Sequence, residues 1–445
     1  MQRMTIVAMA AMLVAGPAFA QNAGPAAGTP AAPHPAAPAA TGPAVHAAPT
    51  KPAATASTPE SRSAAALALS HEPTYDESSA QRIREAALSY SDLAVRGGWP
   101  VIPADAKFTQ GVQGPTDDLL RKRLIISGDL AADKASGAYD DVLAEAVRQF
   151  QARHGLAVTG TVTPRTLAAL NVPVQKRIKQ LEASLTRLEN ISFPFGQRYV
   201  VVNIPATFAE AIEDDKVVRR YRVIVGKTEK PSPTLTAEIT SVNLNPTWTV
   251  PSSIAKSEIS THMRKDPTYL SRMHMDVLGA NDAPIDPHSV DWSGVHTPNF
   301  TVRQQSGTWN ALGAVKIDMP NSYSVYMHDT NQRNLFTDDY RFDSHGCSRV
   351  DNVRDLAAWL LKDQPQWNRA AIDAAIATGE RHDVRVTKKI PVAWIYLTAW
   401  MTRDQTVQFR NDIYAQDEQL LEATAEEAAF FNKAAGHPLT AHMTQ

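Results

Sequence analysis

Before about residue 190, apolar residues recur at intervals of three and four, which is the spacing of one face of an amphipathic helix. Two such stretches are marked by Leu119, Leu120 and Leu124 and by Val142, Ala146, Val147 and Phe150. This pattern predicts a helical domain over residues 76–173. A connecting helix is predicted within residues 174–197, where apolar residues occur at Ile178, Leu181, Leu185 and Leu188.

From Arg198 onward the pattern changes to the alternation of apolar and polar residues that is typical of strands. The predicted strands are residues 199–204, 217–225, 239–244, 315–319 and 322–327. Residues 198–390 are therefore interpreted as a mixed, mainly β domain, and the predicted fold class is α+β. Residues 391–445 are predicted to add C-terminal strands, followed by a polar, Ala-rich helix that extends to about residue 435.

Two helices divided at Pro267 are predicted between Ser252 and about Leu278, inside the β domain. They define a capping insertion of about residues 252–300. Helices inserted beside a site often act as lids, but an inert surface elaboration explains the same pattern. Further along, apolar residues at helical spacing predict a helix that ends at Leu361 and is capped by Asp351 or Asn352.

The N-terminus has the pattern of a secretory signal. Arg3 precedes a short apolar run, and Ala18-Phe19-Ala20 fits the small-x-small cleavage rule, so residues 1–20 are predicted to be a signal peptide. The alternative is a membrane anchor, but the run is shorter than the roughly 20 apolar residues that span a bilayer. Residues 21–75 are rich in Ala and Pro and are predicted to be a disordered linker. We therefore expect export to the periplasm, with no membrane span after cleavage.

Composition narrows the candidate chemistry. The 445 residues carry a formal net charge of -2, which gives no electrostatic reason to expect nucleic acid as a partner. Exported proteins usually carry paired cysteines, yet this chain has Cys347 alone, so it forms no internal disulfide. A single cysteine is more often a buried small hydrophobe than a nucleophile, and only its neighbours can decide between these interpretations.

Those neighbours favour a nucleophile. Fifteen residues separate His328, which is predicted to end a strand, from the sequence Ser344-His345-Gly346-Cys347-Ser348-Arg349. A free thiol is mostly protonated at neutral pH and needs a base, and a histidine within hydrogen-bond reach can provide one. A zinc site of His328, His345 and Cys347 is the rival interpretation. The chain has no paired CxxC or HExxH spacing and no evident fourth ligand, so no metal or other cofactor is predicted.

This motif resembles the signature of the L,D-transpeptidase (YkuD-type) catalytic domain. Further resemblance to the large Gram-negative members with a capping insertion lies in Asn245 to Pro251, Arg303 to Gly307, Asn310 to Gly313 with Lys316, and Val407 to Tyr414. The segment Phe150 to Leu156, followed by Val158 to Leu167, resembles the small three-helix peptidoglycan-binding domain, over about residues 110–172. A helical packing module that does not bind glycan explains the same segment.

The resemblance implies roles for individual residues. Cys347 is expected to be the nucleophile and His328 its base, with the backbone carbonyl of Asp329 orienting the imidazole. The further residues expected at the catalytic site are Ser344, His345, Gly346 and Arg349. The residues expected to bind substrate are Trp248, Asn310 and Tyr326.

Some of these roles remain open at the level of sequence. His345 is either structural or catalytic, and Arg349 either stabilises its turn or binds a substrate carboxylate. The N–H groups of Gly346 and Cys347 are candidates for an oxyanion hole, because glycine permits a tight turn that aims amides at one point.

The implied activity is peptidoglycan L,D-transpeptidation in cell wall biogenesis and the maintenance of cell shape, with stem peptides as donor and acceptor and carbapenems as inhibitors. An L,D-carboxypeptidase or a crosslink hydrolase would use the same Cys347 and His328. A non-catalytic wall-binding protein is the third possibility. The sequence does not distinguish the acceptors, or the third from the first stem residue as donor.

Overall fold

The structure is a computed structural model that describes residues 72–293 and 298–424, and every structural statement below concerns these residues. The predicted signal peptide and most of the predicted linker lie outside them. Thr74 and Tyr75, which the sequence analysis placed in the linker, are buried, and Thr74 donates hydrogen bonds to the carboxylate of Glu210. The linker prediction is therefore wrong for its last residues. Within the described ranges, no helix is both long and apolar enough to cross a membrane.

Helices dominate the N-terminal region, as predicted. They are α1 (Ser79–Val95), α2 (Asp117–Ile126), α3 (Asp141–Arg153), α4 (Pro164–Leu170) and α5 (Val174–Glu189). The chain leaves α3 through Gly155, whose φ of 66° is accessible to glycine at little cost. Thr163 caps α4 by accepting a hydrogen bond from the Thr166 N–H, and Pro164 occupies its first position. A glycine turn thus ends α3, and a Thr-Pro pair begins α4.

Among the described residues, nine strands form the main sheet, in the order β11-β3-β12-β10-β9-β4-β13-β1-β2. The first five of these strands along the chain are β1 (Arg198–Asn203), β2 (Phe208–Glu213), β3 (Lys216–Gly226), β4 (Leu235–Leu244) and β9 (Val315–Asp318). The later strands are β10 (Met327–His328), β11 (Phe342–Ser344), β12 (Ser348–Val350) and β13 (His382–Ile395). Because β2 also pairs with β3, the sheet closes on itself.

The main core lies on one face of this sheet. Alternate strand residues such as Val242, Ile317 and Met327 enter it, together with one face of α9 (Val353–Leu360) and of α10 (Arg369–Ala377). A second core packs the other face of β1 and β13 against α1 and α5. The fold class is α+β, as predicted, with a mainly β domain preceded by a helical region.

The segment predicted as a capping insertion combines helices with a small sheet. Its helices are α6 (Ser252–Ile254), a π-helical turn (Ala255–Ile259), α7 (Ser260–Lys265) and α8 (Tyr269–Arg272). Its sheet has the order β5-β8-β6-β7, from β5 (Trp248–Thr249), β8 (Thr301–Gln304), β6 (Met275–Leu278) and β7 (Pro284–Ile285). The predicted second helix ends early, because Met275 to Leu278 pair with β8 instead. Residues 294–297 lie outside the described ranges.

Other predicted boundaries shift for local reasons. Ser322 to Val325 form a turn, not a strand, because the Asn321 side chain accepts hydrogen bonds from the N–H groups of Tyr323 and Val325. Residues 391–395 continue β13 in the main sheet, although they were predicted to belong to the C-terminal segment. That segment contributes β14 (Ala399–Met401), β15 (Val407–Phe409) and a helix from residue 416 to the end of the described range at 424.

Candidate active site

The predicted base lies on β10, and the predicted nucleophile immediately precedes the neighbouring strand β12. β10 and β12 run parallel, with Met327 opposite Ser348 and His328 opposite Arg349. Since side chains alternate along a strand, Met327 enters the core, while Tyr326 and His328 point to the opposite face. Cys347 immediately precedes β12 and is half-buried. The sheet therefore brings the two ends of the motif together.

A closed turn carries the cysteine. The Ser344 hydroxyl accepts from the Gly346 N–H at 3.2 Å and donates to the Cys347 carbonyl at 2.6 Å. Gly346 has a φ of 111°, which favours glycine. The Ser232 hydroxyl donates to the Gly346 carbonyl at 2.7 Å. Ser344 thus shapes the turn, and its place in the catalytic site stays a prediction. The Gly346 N–H is already bonded, which leaves the Cys347 N–H as the candidate oxyanion donor.

The imidazole of His328 is oriented as predicted. Its Nδ1 lies 2.5 Å from the backbone carbonyl oxygen of Asp329. A carbonyl only accepts, so Nδ1 carries the proton and Nε2 is the nitrogen that can act as a base. The Asp329 carboxylate accepts from the Ala314 N–H at 3.0 Å and from Arg333 at 2.8 Å. The contribution of Asp329 to the imidazole is therefore its carbonyl.

Burial sets the charge states of this pair. It lowers the pKa of His328 to about 3, assisted by the nearby charge of Arg349. It raises the pKa of the Cys347 thiol to about 11, although hydrogen bonds from Tyr326 and the charges of Lys316 and Arg349 oppose this shift. At neutral pH the resting site is thus an uncharged thiol beside an uncharged imidazole. If Cys347 is the nucleophile, as predicted, proton transfer must accompany its attack, and His328 is the candidate general base.

Tyr326 lies beside the sulfur and Trp248 lies beside Tyr326; both were predicted to bind substrate. Hydrogen bonding from the hydroxyl and N–H of Tyr326 lowers the pKa of the Cys347 thiol, and hydrogen bonding from Trp248 lowers the pKa of Tyr326. Burial raises the pKa of Tyr326, which keeps its hydroxyl protonated as a donor. The Tyr326 ring packs edge-on against His328, with centroids 5.6 Å apart. Tyr326 therefore contacts the nucleophile itself, which the sequence analysis did not foresee.

His345 points to the insertion. Its Nε2 lies 2.5 Å from the Glu258 carboxylate in the π-helical turn. This contact joins the cysteine turn to the segment predicted as a lid. The sequence carried no signal for it, because Glu258 lies 87 residues earlier in the chain.

Arg349 and Asn310 complete the predicted set. Arg349 is partly buried beside His328 and donates to the Gln332 side chain at 3.1 Å. Asn310 is fully buried: its amide nitrogen donates to the carbonyls of Pro246 and Gln305, and its oxygen accepts from the Leu312 N–H. These bonds hold the loop together, and the prediction that Asn310 binds substrate stays a prediction.

Metal ligation was tested on geometry. Across residues 72–293 and 298–424, no three His, Cys, Asp or Glu side chains are grouped so that they could hold an ion. The arrangement that the structure does present is a buried thiol, an imidazole with a defined tautomer on the neighbouring strand, and a tyrosine hydroxyl near the sulfur.

Comparison with protein families gives two matches. Residues 197–381 match the model of the L,D-transpeptidase catalytic domain, and residues 113–170 match that described as "Putative peptidoglycan binding domain". A curated protein of Haemophilus influenzae named "Putative L,D-transpeptidase" is 31% identical over 222 residues, which are 50% of this chain and 45% of that protein. The chain thus spans about half the length of the curated relative that it matches.

Solved structures give weaker likenesses. An L,D-transpeptidase from Mycobacterium smegmatis has 16% identity and a TM-score of 0.22, over 45% of this chain and 58% of that one. An L,D-transpeptidase from Stackebrandtia nassauensis has 11% identity and a TM-score of 0.26, over 66% of this chain and 97% of that one.

Proposed function

Because residues 197–381 belong to the L,D-transpeptidase catalytic-domain family, we propose that this protein crosslinks peptidoglycan stem peptides through a thioester on Cys347. The observation that carries the proposal is the pairing of β10 with β12. It places the His328 imidazole, in the tautomer with a basic Nε2, next to the cysteine turn.

The proposed acylation uses the uncharged pair. As the sulfur attacks the carbonyl carbon of the third stem residue, His328 Nε2 takes the thiol proton. The tetrahedral oxyanion is stabilised by the Cys347 N–H. His328 then returns the proton to the leaving nitrogen, the C–N bond breaks, D-alanine departs and a thioester remains.

The second step transfers the acyl group. An amine of an acceptor stem attacks the thioester and gives its proton to His328. The C–S bond breaks, and the sulfur recovers the proton from the imidazole. If water attacks instead, the product is a shortened stem, so exclusion of water decides between transpeptidase and carboxypeptidase activity. The contact between Glu258 and His345 supports the insertion as the segment that excludes water.

The remaining proposals concern context. The N-terminal sequence supports export to the periplasm, and the match over residues 113–170 supports glycan contact by the helical domain. Acylation of Cys347 by carbapenems is expected from the proposed thioester chemistry.

Mass spectrometry of products tests the proposal. Purified protein is incubated with disaccharide tetrapeptides, with Cys347→Ala as the matched control. The expected product is a dimer that lacks one D-alanine and forms with the wild type alone, and its fragmentation locates the linkage. Shortened monomers without dimers would assign a carboxypeptidase. Products that form equally with Cys347→Ala would contradict both activities.

A further inference from the structure

A row of polar side chains crosses the sheet from the base. His328 is paired with Lys316 on β9, Lys316 with Asn243 on β4, and Asn243 with Asp383 on β13. Directly paired residues point to the same face, so these four side chains lie side by side. The opposite face carries the core residues Met327, Ile317, Val242 and Val384. The row is therefore a polar track on the face of the sheet that bears the reacting groups.

An ion pair lies on this track one strand from His328. Lys316 Nζ is 2.5 Å from the Asp318 carboxylate, and the two side chains are 25% and 30% exposed. The same ammonium lies 4.7 Å from the centre of the Tyr326 ring. Ion pairs with this exposure contribute only about 0–1 kcal/mol to stability. Lys316 and Asp318 can therefore separate and bind charged groups of a ligand instead, at little cost in stability.

The surroundings of the pair are also polar. The Ser241 hydroxyl lies 3.3 Å from the Asp318 carboxylate. Asn243 is 6% exposed and donates to Asp383, while its Oδ1 has no hydrogen-bond partner among the described residues. Buried acceptors are rarely left unpaired, so this oxygen marks a place where a donor is expected.

In the donor that the family resemblance implies, and on which the proposed function rests, the third stem residue attacked at Cys347 is diaminopimelate. Its side chain ends in both an ammonium and a carboxylate, about 6 Å from the α-carbon when extended. β9 is the neighbour of β10, about 4.8 Å from His328, and two strands from β12, which Cys347 precedes. The long Lys316 side chain spans part of that distance, because its ammonium lies over the Tyr326 ring and its charge acts on Cys347. We propose that Lys316 and Asp318 form the subsite for this zwitterionic end, with Lys316 binding its carboxylate and Asp318 its ammonium.

The pattern of charges distinguishes this subsite from a simpler assignment, in which Lys316 binds the terminal carboxylate of the leaving D-alanine. Binding of the terminal carboxylate of the leaving D-alanine would need a cation alone, and an adjacent Asp318 would oppose it. Opposite charges two residues apart on one strand complement a ligand that carries both signs. The inference rests on the proposed function, but it concerns donor selection rather than acyl transfer itself.

The test compares donors that differ only at the third stem residue. The three tetrapeptides carry diaminopimelate, its side-chain-amidated form, or lysine, which lacks only the side-chain carboxylate. The readout is kcat/KM for D-alanine release. Each variant is scored by its ratio between donors, which cancels any change in Cys347 reactivity because both donors meet the same thiol.

The wild type is expected to prefer diaminopimelate over lysine and over the amide by about tenfold, the range of one hydrogen bond to a charged group. Lys316→Met should bring this ratio close to one, and Lys316→Arg should retain a preference. Lys389→Met is the matched control, because it removes a lysine paired with Glu238 on the same sheet, away from the track. It should keep the wild-type ratio.

Three outcomes would overturn the inference. One is equal use of all three donors by the wild type, which would leave the proposed function standing. Another is a Lys316→Met variant that keeps its preference for diaminopimelate but loses discrimination between free and amidated terminal D-alanine, which would assign Lys316 to the leaving residue. Release of D-alanine from none of the donors would overturn the proposed function itself.

Discussion

Two buried histidines, in two regions of the molecule, share almost every property except their neighbours. His154, at the end of α3, places Nδ1 2.7 Å from the Phe150 carbonyl oxygen, and His328 places Nδ1 2.5 Å from that of Asp329. Burial lowers the pKa of both imidazoles. His154, however, is stacked between the rings of Phe150 and Phe409.

The difference teaches which feature supports His328, and not His154, as the proposed base. A depressed pKa and a fixed tautomer occur at both positions and so do not distinguish them. What differs is the group next to the ring: aromatic carbon at His154, and a cysteine turn with a donor hydroxyl at His328. Function is therefore assigned by the neighbouring nucleophile, and His154 becomes the matched control for His328.

The largest expected effect separates the two histidines directly. His328→Gln removes the base and should lower the rate of D-alanine release by about 10²- to 10⁴-fold, while the protein stays folded. His154→Gln should leave that rate unchanged and lower the free energy of unfolding, since it disturbs a packed aromatic stack. Kinetics and urea unfolding of both variants check this. Equal losses of rate in the two variants would remove the distinction.

The next effect concerns the resting charge of the thiol. With a pKa raised to about 11, Cys347 should react with iodoacetamide at pH 7 about 100-fold more slowly than an unfolded cysteine. The alkylation rate should rise with pH up to about 11. A rate that is already maximal at pH 7 would show a thiolate–imidazolium pair and contradict the uncharged resting state.

Stability should respond to acid through both histidines. As pH falls below about 6.5, both histidines bind protons in the unfolded chain but stay neutral in the folded protein. The free energy of unfolding therefore falls as pH decreases, and for His328 it continues to fall towards about pH 3. For His328, the loss between pH 7 and pH 5 is about 2 kcal/mol. His328→Gln and His154→Gln should each flatten this slope, as measured by urea unfolding at the two pH values. A slope unchanged in both variants would contradict the buried neutral state.

A smaller effect is expected at Tyr326. Tyr326→Phe removes the hydroxyl that hydrogen-bonds to the Cys347 sulfur but keeps the ring, so D-alanine release should slow by about tenfold. The alkylation profile should move to still higher pH, because a bond that stabilises the thiolate is lost. Tyr323→Phe, at an exposed position nearby, is the control. A slower rate with an unchanged alkylation profile would argue against the bond to sulfur.

The smallest effect is expected at the insertion. Glu258→Gln weakens the contact with His345, and a loosened insertion should admit water to the thioester. The ratio of hydrolysed to crosslinked product should rise by about two- to fivefold, since partly exposed ion pairs contribute up to about 1 kcal/mol. An unchanged ratio would favour the alternative that the insertion is a surface elaboration.

The site was predictable where it is local in sequence. His328, Cys347 and the Asp329 carbonyl follow from one short motif and the strand that precedes it. Ser232 and Glu258 do not, because they contact Gly346 and His345 across 114 and 87 residues. Such contacts depend on how strands and loops meet in space, which a single sequence does not encode by spacing.

The fold was predictable where periodicity is sustained over several turns or strand residues. α3 and α5 are long enough for their apolar faces to be recognised. Met275 to Leu278 were misassigned as helix because four residues give too short a pattern, and pairing with β8 decides their conformation. Ser322 to Val325 were misassigned as a strand because the Asn321 side chain imposes a turn.

The most direct test of the account is the mass of the intact protein during reaction with a tetrapeptide donor. The account predicts an adduct whose mass is that of the donor minus that of D-alanine. Peptide mapping should locate the adduct on Cys347, and hydroxylamine should remove it, as expected of a thioester. The same adduct should form on His154→Gln and not on Cys347→Ala. D-alanine release without any adduct, or an adduct on another residue, would contradict the assignment of Cys347 as nucleophile.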